Sequence, residues 1–226
     1  MKKEERNRLL KVKDLGLIDH SLAYGIQQQT LRDIREGDVN TLLCCEHPNV
    51  FTLGRLANEN NILLPKENIE QEGIKILRID RGGEITFHGP GQLVVYPIFR
   101  LEDFGKDLKS YLRRLEQAAI DLLTHFDIVA RRIEGQRGIW AGNKKIASIG
   151  IGVRKWISFH GMAVNVNCDL RFFAMIKPCG LDVQMTSMRE MKGKEIPLAA
   201  VKETIVQCFC RNFGLQLATE SAYAAG

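Results

Sequence analysis

No stretch of this chain stays apolar long enough to cross a bilayer. Its first ten residues, MKKEERNRLL, are charged where a secretory leader needs an apolar core. Both absences lead to the expectation of a cytoplasmic protein with no membrane partner. The six cysteines lack metal-site spacing: Cys44 and Cys45 are adjacent in an apolar run, and Cys208 and Cys210 sit one residue apart in a helical stretch. No histidine stands at the complementary distance, so these four read as core thiols and no metal is expected. Disulfides are not expected in a reducing compartment. Aromatic residues make up only 7% of the chain, and the net charge of +5 comes without an interleaved basic–aromatic stretch. Nothing therefore points to a nucleic-acid partner. There is no internal repeat, low-complexity segment or linker that divides the chain.

What is present is an ordinary globular composition, 45% hydrophobic and 26% charged over 226 residues, enough to bury a substantial core. Residues 9–15 read as a first strand. Asp19 or Ser21 can cap a helix running to Glu36, with Leu22, Ile26 and Ile34 among its apolar positions and Gly37 as its stop. Val39 to Cys45 reads as a buried strand that must end at Glu46-His47-Pro48, leaving His47 at its exit as a surface residue, with a site role as the lesser alternative. Val50–Leu53 is extended, a short helix follows Pro65, and Ile74–Ile79 is a further strand. The longest helical signal is Lys106–Phe126, with Leu108, Leu112, Leu115, Ala119, Leu122 and Leu123 forming one apolar stripe. From Gly138 three antiparallel strands follow, breaking at Gly142-Asn143 and near Arg154–Trp156. A short amphipathic helix, Leu170–Ile176, leads to Lys177-Pro178-Cys179-Gly180. A turn capped by Thr186 or Ser187 comes next, then a last helix, Leu198–Phe213, with Ala199, Ile205, Val206 and Phe209 inside. Strands and helices do not alternate regularly, so the class is α+β.

The densest stretch is RGGEITFHGPGQLVVYPIFR, Arg81 to Arg100. Ile85 and Phe87 share one face of a short strand, and Gly89-Pro90-Gly91 forms a rigid connection to an apolar strand. It reads either as a decorated hairpin or as a pocket edge furnished with backbone N–H groups and a histidine. Three side chains are candidates for chemistry. Cys179, held between proline and glycine on a loop, is a candidate nucleophile. Lys145 either marks an exposed hairpin turn with Lys144 or enters the inner face of its strand, where a cation needs a partner or a task. His88, with His160, is either a hydrogen-bonded structural residue or a catalyst.

Four segments taken together, EHPNVFTLGR, RGGEITFHGPGQLVVYPI, KIASIGIGVRKWISFHGMAVNV and IKPCGL, closely resemble the octanoyltransferases of lipoate biosynthesis. The likeness runs in order from about residue 46 to about 188. It implies one catalytic acyltransferase domain over 1–226, with the mixed, helix-flanked sheet shared by biotin and lipoate protein ligases. It also implies the reaction: an octanoyl group passes from acyl carrier protein to a lysine of a lipoyl domain, on 2-oxoacid dehydrogenase subunits or the glycine-cleavage carrier, through a thioester on the enzyme. By motif, Cys179 is the implied acyl acceptor and Lys145 the lysine that activates it. Arg81, Gly82, Gly83, Glu84, Ile85, Thr86, Phe87 and His88 form the implied acyl-binding segment. Ser148, Ile149 and Gly150, and Gly161, Met162 and Ala163, form the other implied walls. No cofactor is implied, because a thioester is already activated, and a monomer is the expectation. The basic residues Arg113, Arg114, Arg131, Arg132 and Arg137 are candidates for docking the carrier. Two other readings suit the same fold: an ATP-dependent lipoate or biotin ligase, and a binding protein without turnover. The Pro-Cys-Gly loop and HGPGQ argue against the first, and the joint presence of Cys179 and Lys145 argues against the second.

Overall fold

The computed structural model describes residues 8–177 and 183–218. Two sheets divide the work. The larger has eight strands in the order β11-β1-β2-β6-β10-β9-β8-β7. Its strands are β1 (Leu9–Leu17), β2 (Asn40–Glu46), β6 (Gln92–Ile98), β7 (Arg131–Ile133), β8 (Gln136–Ala141), β9 (Lys144–Arg154), β10 (Ile157–Asn165) and β11 (Gln216–Leu217). Pairing is parallel where β1 meets β2 and β11, and antiparallel from β2 through β7. The smaller sheet is β4-β3-β5, built from β3 (Val50–Leu53), β4 (Lys75–Arg78) and β5 (Ile85–His88). The architecture is α+β, a mixed sheet flanked by helices.

The central strands are apolar on both sides because both faces are covered. Along β6, Leu93 and Val95 enter one core while Val94, Tyr96 and Ile98 enter the other; along β2, Cys44 and Cys45 separate in the same way. The first core is roofed by α3 (Leu108–His125) and α5 (Leu198–Phe213), the second by α1 (His20–Glu36). A third cluster, with Phe51, Phe87, Phe172 and Phe173, fills the small sheet. The two remaining helices, α2 (Lys66–Gln71) and α4 (Met188–Lys192), are short.

Helix boundaries follow local chemistry. Asp19 caps α1 by accepting from the N–H of Ser21, and Gly37 ends it in a left-handed conformation (φ 118°). Asp107 starts α3 by the same device, and Ser187 caps α4. Three apolar assignments are corrected. Leu22 is 65% exposed, because the buried face of α1 is half polar and uses Gln27 and Thr30 beside Ala23, Leu31 and Ile34. Leu108 is also exposed; Tyr111 takes the buried place at the start of the α3 stripe. Ala199 lies on the outer side of α5, whose inner face begins at Val201. His47 is the fourth correction. It is fully buried, its Nδ1–H donating to the carbonyl of Ile18 (2.7 Å) and its Nε2 accepting from the Tyr96 hydroxyl (2.7 Å). Among the described residues no helix is long and apolar enough to cross a membrane.

Candidate active site

The floor of the site is a patch of small residues. On adjacent strands β9 and β10, Ser148 pairs with Ala163 and Gly150 pairs with Gly161. No side chain here exceeds a hydroxymethyl group, so the sheet surface has a dent. The Arg81–Glu84 loop lies across it, with the N–H of Gly82 donating to the carbonyl of Ile151 (2.8 Å). Gly150 is what allows this approach, since a Cβ there would stand 2.7 Å from the carbonyl oxygen of Gly82. The loop is tied on its other side by Arg55 N–H to Arg81 O (3.0 Å) and Leu56 N–H to Gly83 O (3.1 Å).

Between loop, floor and the start of α1 lies a narrow cavity of about 80 Å³. Arg81, Gly82, Gly83, Glu84, Ile85, Thr86, His88, Lys145, Ser148, Ile149, Gly150, Gly161, Met162 and Ala163 all border it. Phe87 does not; its ring stacks on Phe172 and meets Phe51 and Phe173 edge-on in the small-sheet core. Cys179 lies outside the described residues. Of the five arginines considered for docking, Arg137 alone reaches the cavity. Arg132 is bound to Glu116 (2.7 Å), and Arg114 donates to the carbonyl of Asn212.

Lys145 is 6% exposed although its neighbour Lys144 is open to solvent. Its ammonium lies 5.9 Å from the centre of the Trp140 ring. Space for the side chain comes from Gly138, which has φ 108°. A Cβ at that position would sit 2.5 Å from both the Lys145 Cε and the carbonyl oxygen of Ala147. The backbone of Lys145 is gripped by the segment that follows residues 178–182. Its N–H donates to the Gln184 carbonyl (2.8 Å), and its carbonyl accepts from the Thr186 N–H (2.9 Å). The preceding side of that segment is anchored too. Lys177 N–H donates to the carbonyl of Asn61 (2.7 Å), whose side-chain amide holds Glu84 of the cavity wall (2.9 Å).

A buried polar chain runs behind the wall. Arg81 donates to the hydroxyl and carbonyl oxygens of Thr52. His88 Nδ1 faces Gln92 Oε1 at 2.7 Å, while Gln92 Nε2 donates to Phe87 O and Asn165 Oδ1. Asn165 then donates to the carbonyl of Thr186 (2.9 Å). The Gln92 orientation makes His88 Nδ1 the protonated nitrogen, so Nε2 accepts from the Thr52 hydroxyl (3.3 Å). Burial drives His88 well below the ordinary imidazole range, and it is neutral. The same cause brings His20 down to about 3 and lowers His47 and His160. The clustering of these four histidines escapes sequence reading, because they come from α1, the exit of β2, β5 and β10. Among the described residues no three His, Cys, Asp or Glu side chains converge to hold a metal ion.

Fold and cavity together set a narrow pocket with a small-residue floor beside a buried lysine. The model of the lipoyl protein ligase A/B catalytic domain matches residues 19–210. An octanoyltransferase from Solibacter usitatus is 41% identical over 215 residues, covering 95% of this chain and 97% of the relative. Among solved structures, lipoate-protein ligase A bound with ATP superposes with a TM-score of 0.76 at 17% identity, covering 94% of this chain and 90% of its own. A bi-partite lipoate protein ligase from Thermoplasma acidophilum, solved in work on that ligase and its E2 lipoyl domain, gives 0.74 at 16%, covering 96% and 88%. At these identities the structures establish the fold. The chain belongs to the lipoyl protein ligase A/B catalytic family and, within it, to the octanoyltransferases, which are acyltransferase enzymes.

Proposed function

We propose that this enzyme transfers an octanoyl group from acyl carrier protein to the acceptor lysine of lipoyl domains, by way of a thioester on Cys179. The observation that carries the reading is the grip on Lys145. A buried cation needs a partner or a task, and the main chain of this lysine is bonded to the segment 184–186 that follows Cys179, at the edge of a slot with a small-residue floor. The other cysteines are poor alternatives. Burial pushes the Cys44 and Cys168 thiols up to about 12 and Cys208 to about 11, and raises Cys45 and Cys210 as well.

In the first half-reaction the Cys179 thiolate attacks the donor's thioester carbonyl, and the carrier's pantetheine thiolate leaves and takes up a proton. An unassisted thiol is only a few per cent ionised at neutral pH, and an ammonium close by lowers its pKa. In the second, the acceptor lysine's neutral amine attacks the acyl-enzyme, Cys179 leaves as thiolate, and Lys145 relays the proton the amine loses. Arg81 and His88 hold the wall in shape through Thr52 and Gln92. ATP has no step in this scheme. The carrier approaches the end where Arg137 stands, and the acceptors are the lipoyl domains of 2-oxoacid dehydrogenases and the glycine-cleavage carrier protein.

The test is transfer to a purified lipoyl domain from octanoyl-acyl carrier protein without ATP, beside free octanoate with ATP. Product in the first mixture only is expected. Product in the second only would replace this reading with that of a ligase.

A further inference from the structure

The lining of the slot includes Lys145 and also His20, Ile79 and His160. A second cleft, open to solvent, is lined in part by Ser21, Tyr24, Arg55 and Asp80. His20 and Ile79 border both spaces. His160 is joined to the lining of that cleft directly, its Nε2 lying 2.9 Å from Asp80 Oδ1. The Tyr24 ring stacks on its imidazole at 5.6 Å, and the Tyr24 hydroxyl also donates to Asp80. The partition between slot and cleft is therefore one layer of side chains with His160 in it.

The length of the slot can be read from strand register. The Lys145 ammonium lies beside Gly138, whose neighbour Ile139 pairs with Ala147. His160 pairs with Ile151. From Ala147–Ser148 to Ile151 is three to four residues, about 10–13 Å at about 3.3 Å per residue. An extended octanoyl chain, seven carbon–carbon bonds of about 1.5 Å joined at tetrahedral angles, measures about 9 Å. An octanoyl chain whose carbonyl lay beside Lys145 would be long enough to approach His160.

The partition is held at a cost. His160 has φ 54° inside a strand, a region that non-glycine residues avoid, and its buried Nδ1 has no partner among the described residues. Its main-chain N–H is fixed by Gln27 Oε1 (2.8 Å). Such strain persists where the surroundings enforce it, and it gathers at sites with a task.

We propose that His160, clamped by Asp80 and Tyr24, is the end wall of the acyl slot and sets the longest chain the enzyme accepts. This rests on the reading of the cavity as an acyl slot. The test compares labelling of the wild type and His160→Gly by octanoyl-, decanoyl-, dodecanoyl- and tetradecanoyl-acyl carrier protein, followed by intact mass. Glycine suits the left-handed backbone and opens the slot into the neighbouring cleft. In the wild type, labelling is expected to fall more than tenfold between octanoyl and dodecanoyl. In the variant, the dodecanoyl-to-octanoyl ratio is expected to rise at least tenfold. An unchanged ratio in a labelling-competent variant overturns the proposal. Should the variant not fold, the wild-type profile decides, since equal labelling by tetradecanoyl and octanoyl is incompatible with a wall. Failure of every donor to label the wild type would instead remove the acyl-slot reading, and the wall with it.

Discussion

Lys145 and Gln184 are joined by a 2.8 Å main-chain hydrogen bond, and Thr186 returns a second bond to the Lys145 carbonyl. The strand bearing the buried ammonium is thus tied on both sides of its main chain to the segment after residues 178–182. In the proposed mechanism, chemistry shared between a lysine on β9 and a cysteine five residues before Gln184 would depend on that coupling.

Lys145→Met keeps the side chain's bulk and removes its charge. Octanoylation of the enzyme should fall by about 10²–10⁴, the usual worth of a positioned proton-transfer group. The melting temperature, measured beside it, separates loss of chemistry from loss of fold. A pH profile of the acylation rate gives a second readout. The rise that reports thiolate formation should move to higher pH in the variant, toward that of an unassisted cysteine.

Gly138→Ala probes the same lysine without touching its charge. The new Cβ meets the Ala147 carbonyl and the Lys145 Cε, both at 2.5 Å, at a backbone angle (φ 108°) that alanine avoids. Stability should fall by about 1–3 kcal/mol and acylation by more than tenfold, read by thermal melting and intact-mass kinetics. Full activity would show that the side chain of Lys145 does not need its present path.

Acid should destabilise the fold through the buried histidines. His20, His47, His88 and His160 all have folded values below the ordinary one, chiefly through burial. Below about pH 6.5 the unfolded chain binds protons that the folded chain refuses, so stability is complete above that pH and declines as pH falls. Each histidine contributes at most about 1.4 kcal/mol per pH unit. His20 continues to do so down to about pH 3. Urea midpoints measured from pH 8 to pH 5 should decrease steadily below 6.5; a flat profile would mean that the four rings are not buried as neutral groups.

Phe87→Leu separates core from slot. Its ring belongs to the small-sheet cluster, so stability should drop by roughly 1 kcal/mol while the preference among acyl donors stays put. A changed chain-length preference would place the ring in the slot after all.

Much of this was legible in the chain. The strands from Gly138 onward announce themselves by alternation, with turns at Gly142-Asn143 and Arg154–Trp156, and the acid caps and glycine stop of the helices are local signals. Most of the cavity lining was reachable by motif. What local reading misses is non-local. Leu22 looked like core because Gln27 and Thr30, polar yet buried, carry part of that face. His47 looked exposed because a strand exit usually is, whereas here Ile18 and Tyr96 close over it. The division into two sheets, and the Lys145 bonds to Gln184 and Thr186, arise from pairings across long sequence separations that no periodicity records.

The most direct measurement is intact mass of the enzyme after mixing with octanoyl-acyl carrier protein in the absence of ATP, with Cys179→Ala beside it. The account predicts one octanoyl adduct, released by hydroxylamine and absent from the variant. An adduct that survives hydroxylamine, an adduct on Cys179→Ala, or no adduct with an active donor would contradict it.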